Sequence, residues 1–260
     1  MVVTEAEILT WMGRFLWPFL RLSGLFLTAP VAGSRYVPPQ VRLGLSVLFA
    51  LALGAALPHL PPFPADPWHA MLAGALQIAY GALLGLVMLV CVSVITVSGE
   101  MMGLSMGLGF AKLSAPSTGV PMPVMSELML WAGVMAYLAA RGPLWLMAAM
   151  HHSFTVNPAG TLPLGSWHAV ALFGQSLFTA GLWLALPVVV GGLAVNAVLG
   201  VVSALAPQLN IFSVGFPLLF LAGVWLLIGA VGSVDGVFHY VFQHATGLIG
   251  HLAGGGHGPG

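Results

Sequence analysis

Charge is what this sequence has least of. Only twelve of its 260 residues are ionised, six basic and six acidic, where a soluble domain of that length carries roughly 65. So few charges cannot coat a water-facing surface, which excludes a soluble globular protein. Net charge is zero and no basic run exists, which excludes electrostatic binding of nucleic acid. Cys91 is the sole cysteine, so there is no disulfide framework and no thiolate metal cluster. Disorder is excluded by the opposite excess, since 59% of the residues are apolar.

What is present is long uncharged sequence. No charge lies between Asp66 and Glu100, and the 93 residues between Arg141 and Asp235 hold none. A spanning helix needs about 20 apolar residues, and a charge at the bilayer centre costs about 2.5–3.5 kcal/mol, so the gaps read as membrane segments. We place apolar segments at 8–31, 43–57, 68–98, 124–150, 167–186, 187–205 and 211–234. They are continuous rather than alternating with period two, which favours helices over a barrel. The segment 68–98 is too long for one upright span. The stretch 167–205 is too long for one helix and short for two spans with a turn, and Pro187 is placed to kink or break it.

Gly and Pro, 34 and 19 residues, make up about a fifth of the chain. Inside apolar helices they are tolerated only where neighbours satisfy the freed backbone groups, so these helices are built to pack against others. The acidic start (Glu5, Glu7) and the interruptions at Arg14 and Arg21 do not fit a secretory signal peptide. No repeat is visible. The Gly/His-rich tail, 251–260, reads as disordered. Arg35 and Arg42 in the first interhelical loop, against a second loop without Lys or Arg, place the first loop in the cytoplasm.

Several constellations carry two readings. Glu7, Arg14 and Arg21 recur every two helical turns on one face: a polar stripe toward a partner or wet lumen, or snorkelling at helix ends. Glu127 and Arg141 are intramembrane charges, functional by default, or structural ions paired with neighbouring helices. Gly103-Leu104-Ser105-Met106-Gly107 matches G-x-S-x-G, but a nucleophile elbow needs a strand before the serine, and none precedes Ser105. The histidines lack metal-ligand spacing: His151 and His152 are adjacent, and His239, His244 and His251 lie five and seven apart. Gly99, Gly103 and Gly107 form overlapping GxxxG units. Gly192, Asn196, Gly200 and Ala204 repeat the spacing, with Asn196 able to bond across a helix contact. Such ridges serve assembly between chains or packing within one.

The stretch 99–123, GEMMGLSMGLGFAKLSAPSTGVPMP, combines glycines and prolines with Met101, Met102, Met106, Phe110 and Met122. Irregular backbone at membrane depth survives only when buried in protein or lining a cavity. Methionine adapts to irregular partners, and a Met/Phe constriction can stay dewetted. One reading is a pore seal; the other is a loop between spans. A secondary transporter would instead show paired broken helices in inverted repeats, and only one broken region is visible.

Three stretches carry a resemblance: WPFLRLSGLFLTAPVAGSRYVPPQVRLGL (17–45), GLGFAKLSAPSTGVPMPVMS (107–126) and APQLNIFSVGFPL (206–218). In order and spacing over about residues 4–250 the chain resembles the FliR family of flagellar biosynthetic membrane proteins, whose counterparts occur in injectisome type III secretion. The resemblance implies an all-α, polytopic integral membrane protein with long broken helices. A FliP-like region (1–186) with a lumen plug loop at about 99–123 would precede a FliQ-like hairpin (187–250) with its tip at 207–210. It implies a non-enzymatic subunit without cofactor or metal. With FliP and FliQ, joined by FlhB, it would form an export gate for unfolded flagellar proteins in the inner membrane at the flagellar basal body. The plug role carries over to Met106, Gly107, Gly109, Phe110 and Met122, and assembly to Gly99, Gly103, Gly192, Asn196 and Gly200. Where many relatives have an acidic residue, this chain reads Ser114-Ala115-Pro116, so no charge-based role carries over there.

Overall fold

The computed structural model describes residues 4–57, 60–108, 124–161, 164–206 and 211–254. Helix is the only regular structure among them, in eight pieces: α1 (Glu5–Thr28), α2 (Pro39–Ala56), α3 (Pro67–Ser105), α4 (Val124–Ala139), α5 (Gly142–Val156), α6 (Leu164–Leu205), α7 (Ile211–Val231) and α8 (Val234–Gly254). The chain divides into two compact units. The first comprises residues 1–90, 141–174 and 242–260, the second 91–140 and 175–241. Three helices, α2, α3 and α6, are long and apolar enough to cross a membrane; α7 and α8, bent at 53° across a short break, pass that test only as a pair.

Local chemistry explains most boundaries. Glu7 accepts the Thr4 backbone N–H at 2.9 Å, tying down the start of α1. Pro38 and Pro39 open α2 with a preset φ. Asp66 caps α3, accepting the His69 backbone N–H at 3.1 Å and touching the His69 ring. Those bonds, the ring's first and the backbone N–H's second, hold the Asp66 carboxyl below the usual carboxylate range.

Three segments differ from the sequence reading. The expected segment 124–150 is broken into α4 and α5 at Ala140–Arg141, where Arg141 takes the left-handed conformation (φ 55°). Gly142 and Pro143 follow, and a proline suits the first turn of a new helix. The stretch 167–205 is instead one unbroken helix of 42 residues running through Pro187, about 63 Å long. α8 was not anticipated, because its apolar residues form one stripe and not a run. Phe238, Val241, Ala245 and Ile249 are buried while His239, His244 and His251 lie outside. It extends to Gly254, four residues into the stretch expected as disordered tail.

In the first unit α1 and α3 run side by side in the same direction. Gly24 meets Ile78, Gly81 meets Arg21, and Gly85 meets Leu25 and Thr28, so closely that a Cβ at any of these glycines would strike backbone. The Thr28 hydroxyl donates to the Ala82 carbonyl at 2.9 Å. α2 returns antiparallel to α1, with Phe26 on Phe49 and Gly54 against the Arg14 carbonyl. Trp17 packs on Phe63 and donates to the Pro61 carbonyl at 2.8 Å.

At mid-height Arg21 is fully buried. Its Nε donates to Gln77 Oε1 at 2.6 Å and its Nη1 to Ser153 Oγ at 2.9 Å. Nη2 reaches the carbonyls of Asn157 and Pro158 at 2.9 and 3.4 Å. The guanidinium lies 3.9 Å from the Phe154 ring centre and 4.5 Å from that of Tyr80. The expected stripe is therefore dispersed: Glu7 caps its own helix, Arg14 is exposed, and Arg21 faces the interior of its own chain.

Replacing Arg21 with Leu strands buried acceptors on three elements and is expected to cost about 3 kcal/mol or more. Arg21→Lys should recover little, because an ammonium cannot span these acceptors or lie flat between two rings. Thermal unfolding in detergent checks both, and a wild-type midpoint for Arg21→Lys would refute the planar-fork account. Arg141→Gly, which relieves the left-handed strain, is expected to stabilise by about 0.5–1 kcal/mol in the same assay.

Candidate functional site

In the second unit, α3 approaches its end with glycines and methionines interlocked. Gly99 faces Met129 and Met125 of α4, Gly103 faces Met125, and Gly133 of α4 faces Val92 and Ile95. Each Gly opens a hole that the opposing side chain fills, and flexible methionine fits such holes well. Met102, Met106, Met125 and Met129 are all buried. Met106 lies on Gly223 of α7, where a Cβ would come within 3.0 Å of its Sδ and Cε. Ser126, in the first turn of α4, is buried, and its hydroxyl makes no hydrogen bond.

α3 then stops by a backbone lock. The Gly107 N–H bonds the Leu104 carbonyl at 3.1 Å, and the Leu108 N–H reaches back to the Gly103 carbonyl at 3.1 Å. That pair of bonds is a Schellman ending, and it needs a left-handed residue at its turn. Gly107 supplies it with φ 80°. The residue singled out as part of a plug is thus also the C-terminal stop of α3. Gly109, Phe110 and Met122, like the rest of 109–123, lie outside the described residues, as does the expected hairpin tip 207–210.

Beside this helix end is an open groove of about 550 Å³. Met101, Leu104 and Ser105 form one wall, Leu182, Val189 and Leu193 another, and Leu219 and Gly107 close its end. Asn196 puts an amide at the rim of this apolar surface. α6 runs parallel to α3 here: Gly181 packs by Val94 and Ser98, and Gly192 by Ser105, whose carbonyl would be 3.1 Å from a Cβ. Gly99, Gly103 and Gly192 are therefore engaged within the chain, while Asn196 is exposed in the groove and Gly200 is exposed with nothing packed on it.

The Ser105 hydroxyl donates to its own helix, to the Met102 carbonyl at 2.7 Å. Ser105 is the last residue of a 39-residue helix, so no strand precedes it. Among the described residues no group of three or more His, Cys, Asp or Glu is placed to hold a metal ion. Glu127, half-buried, sits in the first turn of α4, where the helix dipole favours an acid. Arg141 is exposed at the α4–α5 break. Sequence spacing brought out the glycine ridges but not the Met106–Gly223 contact, which joins residues far apart in the chain.

Gly223→Val is expected to evict Met106 and lower stability by about 1–3 kcal/mol. Adding Met106→Ala should restore part of that loss. Unfolding midpoints of the single and double variants test the coupling, and strict additivity would disprove it.

The comparisons with known proteins agree with this architecture. Residues 12–245 match the model of the family described as bacterial export proteins, family 1. The flagellar biosynthetic protein FliR of Escherichia coli (strain K12) is 33% identical over 95% of both chains. That of Pectobacterium carotovorum is 35% identical over 94% of both. The Bacillus subtilis (strain 168) protein of the same name is 26% identical over 88% of this chain and 90% of its own. A family match over nearly the whole length and relatives above 30% identity lead to one conclusion: the chain belongs to the bacterial export proteins, family 1.

Proposed function

We propose that this chain is a membrane subunit of the flagellar export apparatus, forming with FliP and FliQ, and joined by FlhB, a gate through which unfolded flagellar proteins leave the cytoplasm. The carrying observation is the near-full-length match to proteins named for flagellar biosynthesis. The same match favours flagellar over injectisome use. In this reading the gate sits in the bacterial inner membrane at the flagellar basal body and does no covalent chemistry.

The distribution of apolar surface supports an assembled rather than a solitary chain. The apolar window of α3 is 61% buried within the chain, that of α6 only 11%. On α6, Trp183, Leu193 and Leu205 are 73, 62 and 81% exposed. Lipid can cover such a face, but an amide at the rim of an apolar groove gains from a hydrogen-bonding neighbour. Asn196 and Gly200 thus form the inter-subunit part of the glycine ridge in this proposal, and residues 187–250 act as the FliQ-like portion that continues a ring of partner hairpins. Residues 1–186 take the FliP-like place. Gly109, Phe110 and Met122 form the closed seal in this proposal, Met106 backs it from its buried place on Gly223, and Gly107 fixes where the sealing stretch leaves α3.

Deletion of the gene should abolish motility, and the tagged chain should leave the membrane bound to two other small hydrophobic proteins. Asn196→Leu with Gly200→Leu should weaken that co-purification. Replacing Phe110 with Gly should make cells leak ions while the complex still assembles. Undiminished membrane tightness in an assembled variant would defeat the seal role, and full motility in the deletion strain would defeat the export reading itself.

A further inference from the structure

The first unit carries an exposed apolar belt with two chemically different rims. Because α1 and α3 are parallel and in contact, Trp11 and Trp68 stand at one level, 72 and 64% exposed. Asp66 and Glu7 lie near them, each occupied in capping a helix start. At the other end, beyond Thr28, the chain crosses to α2 through residues 29–38. That rim holds Arg35, Tyr36 and Arg42. The two rims are joined by α2, 18 residues long, or about 27 Å, close to the roughly 30 Å of a bilayer's hydrocarbon.

The basic rim is organised. Arg42 Nη2 donates to the Ser34 carbonyl, which pins the loop over the first turn of α2. Its Nε is enclosed there and makes no hydrogen bond. Arg35 lies over the exposed ring of Tyr36, 5.3 Å from its centre. α2 starts with no side-chain cap and no acid in its first turn, so the positive end of its dipole adds to the two guanidinium charges. Directly below, Val41, Leu43, Leu48 and Leu51 are 49 to 62% exposed along α2.

We propose that residues 29–38 and the first turn of α2 bind the headgroup of an anionic phospholipid, whose acyl chains lie along the outer face of α2. The occupant follows from complementarity. A phosphodiester with a net negative charge meets two arginines and a helix start, a tyrosine sits at headgroup depth as interfacial aromatics do, and the surface beneath is an aliphatic strip of acyl-chain length. An acidic protein segment would match the arginines but not the strip. Inorganic phosphate would match neither the strip nor the ring.

Native mass spectrometry of the full chain from neutral detergent tests this, with phosphatidylglycerol and phosphatidylcholine supplied in turn. Wild type should retain phosphatidylglycerol preferentially. Each arginine near an anionic headgroup contributes about a fivefold preference, so Arg35→Gln should lose about fivefold and Arg35→Gln with Arg42→Gln about thirtyfold. Arg14→Gln, at the opposite end, should lose none. Arg35 is exposed and lies on the adjacent Tyr36, and an unfolding midpoint of Arg35→Gln equal to wild type separates lost binding from a disturbed loop. Equal retention of the two lipids by wild type, unchanged retention by Arg35→Gln, or equally tight binding of free inorganic phosphate would each overturn the proposal. So would an acidic protein that occupies the rim and excludes phosphatidylglycerol.

Discussion

A cation buried without an acid beside it governs the first unit. Desolvating a guanidinium costs several kcal/mol, and Arg21 recovers this only because neutral partners converge on it from three elements. α3 contributes Gln77 and Tyr80, α5 contributes Ser153 and Phe154, and the turn after α5 contributes two carbonyls. Gln77 also donates to Pro158, so the turn is held twice. Gly160, with φ 70°, lets that turn close over the guanidinium, since a Cβ there would press on Gln77 and on Arg21 itself. The close approach of α1 to α3 serves the same end. Without Gly81 and Gly85 the two backbones could not come near enough for Arg21 to reach across.

The second unit is organised on the opposite principle. Among the described residues its helices meet at glycine holes filled by methionine, in place of the fixed polar geometry around Arg21. Soft, unbranched side chains repack at small cost, so this part of the chain tolerates changes of neighbour better than the first.

The fold was legible where physics acts locally. Scarcity of charge gave the helical membrane class, and the over-long segment 68–98 became one 39-residue helix. The break at Arg141 was also written in the chain, since Gly142-Pro143 is a helix opening, but hydropathy averaged across it. Pro187 misled the other way. Within a long apolar helix one missing N–H is a modest loss, and α6 absorbs it. α8 escaped because His and Gly dilute its mean hydropathy while its buried stripe stays regular. For the site, spacing revealed the glycine ridges. Which ridge residues are packed within the chain (Gly99, Gly103, Gly192) and which stay exposed (Asn196, Gly200) depends on partners remote in sequence.

The ending of α3 has a consequence for heredity. Its two locking bonds are made by main-chain atoms, and the turn they enclose admits cheaply only an achiral residue at position 107. Side-chain changes nearby therefore leave this turn almost untouched, whereas a side chain at position 107 itself strains it. The place where the chain leaves α3 is therefore set by main-chain geometry at one position and not by the side chains around it.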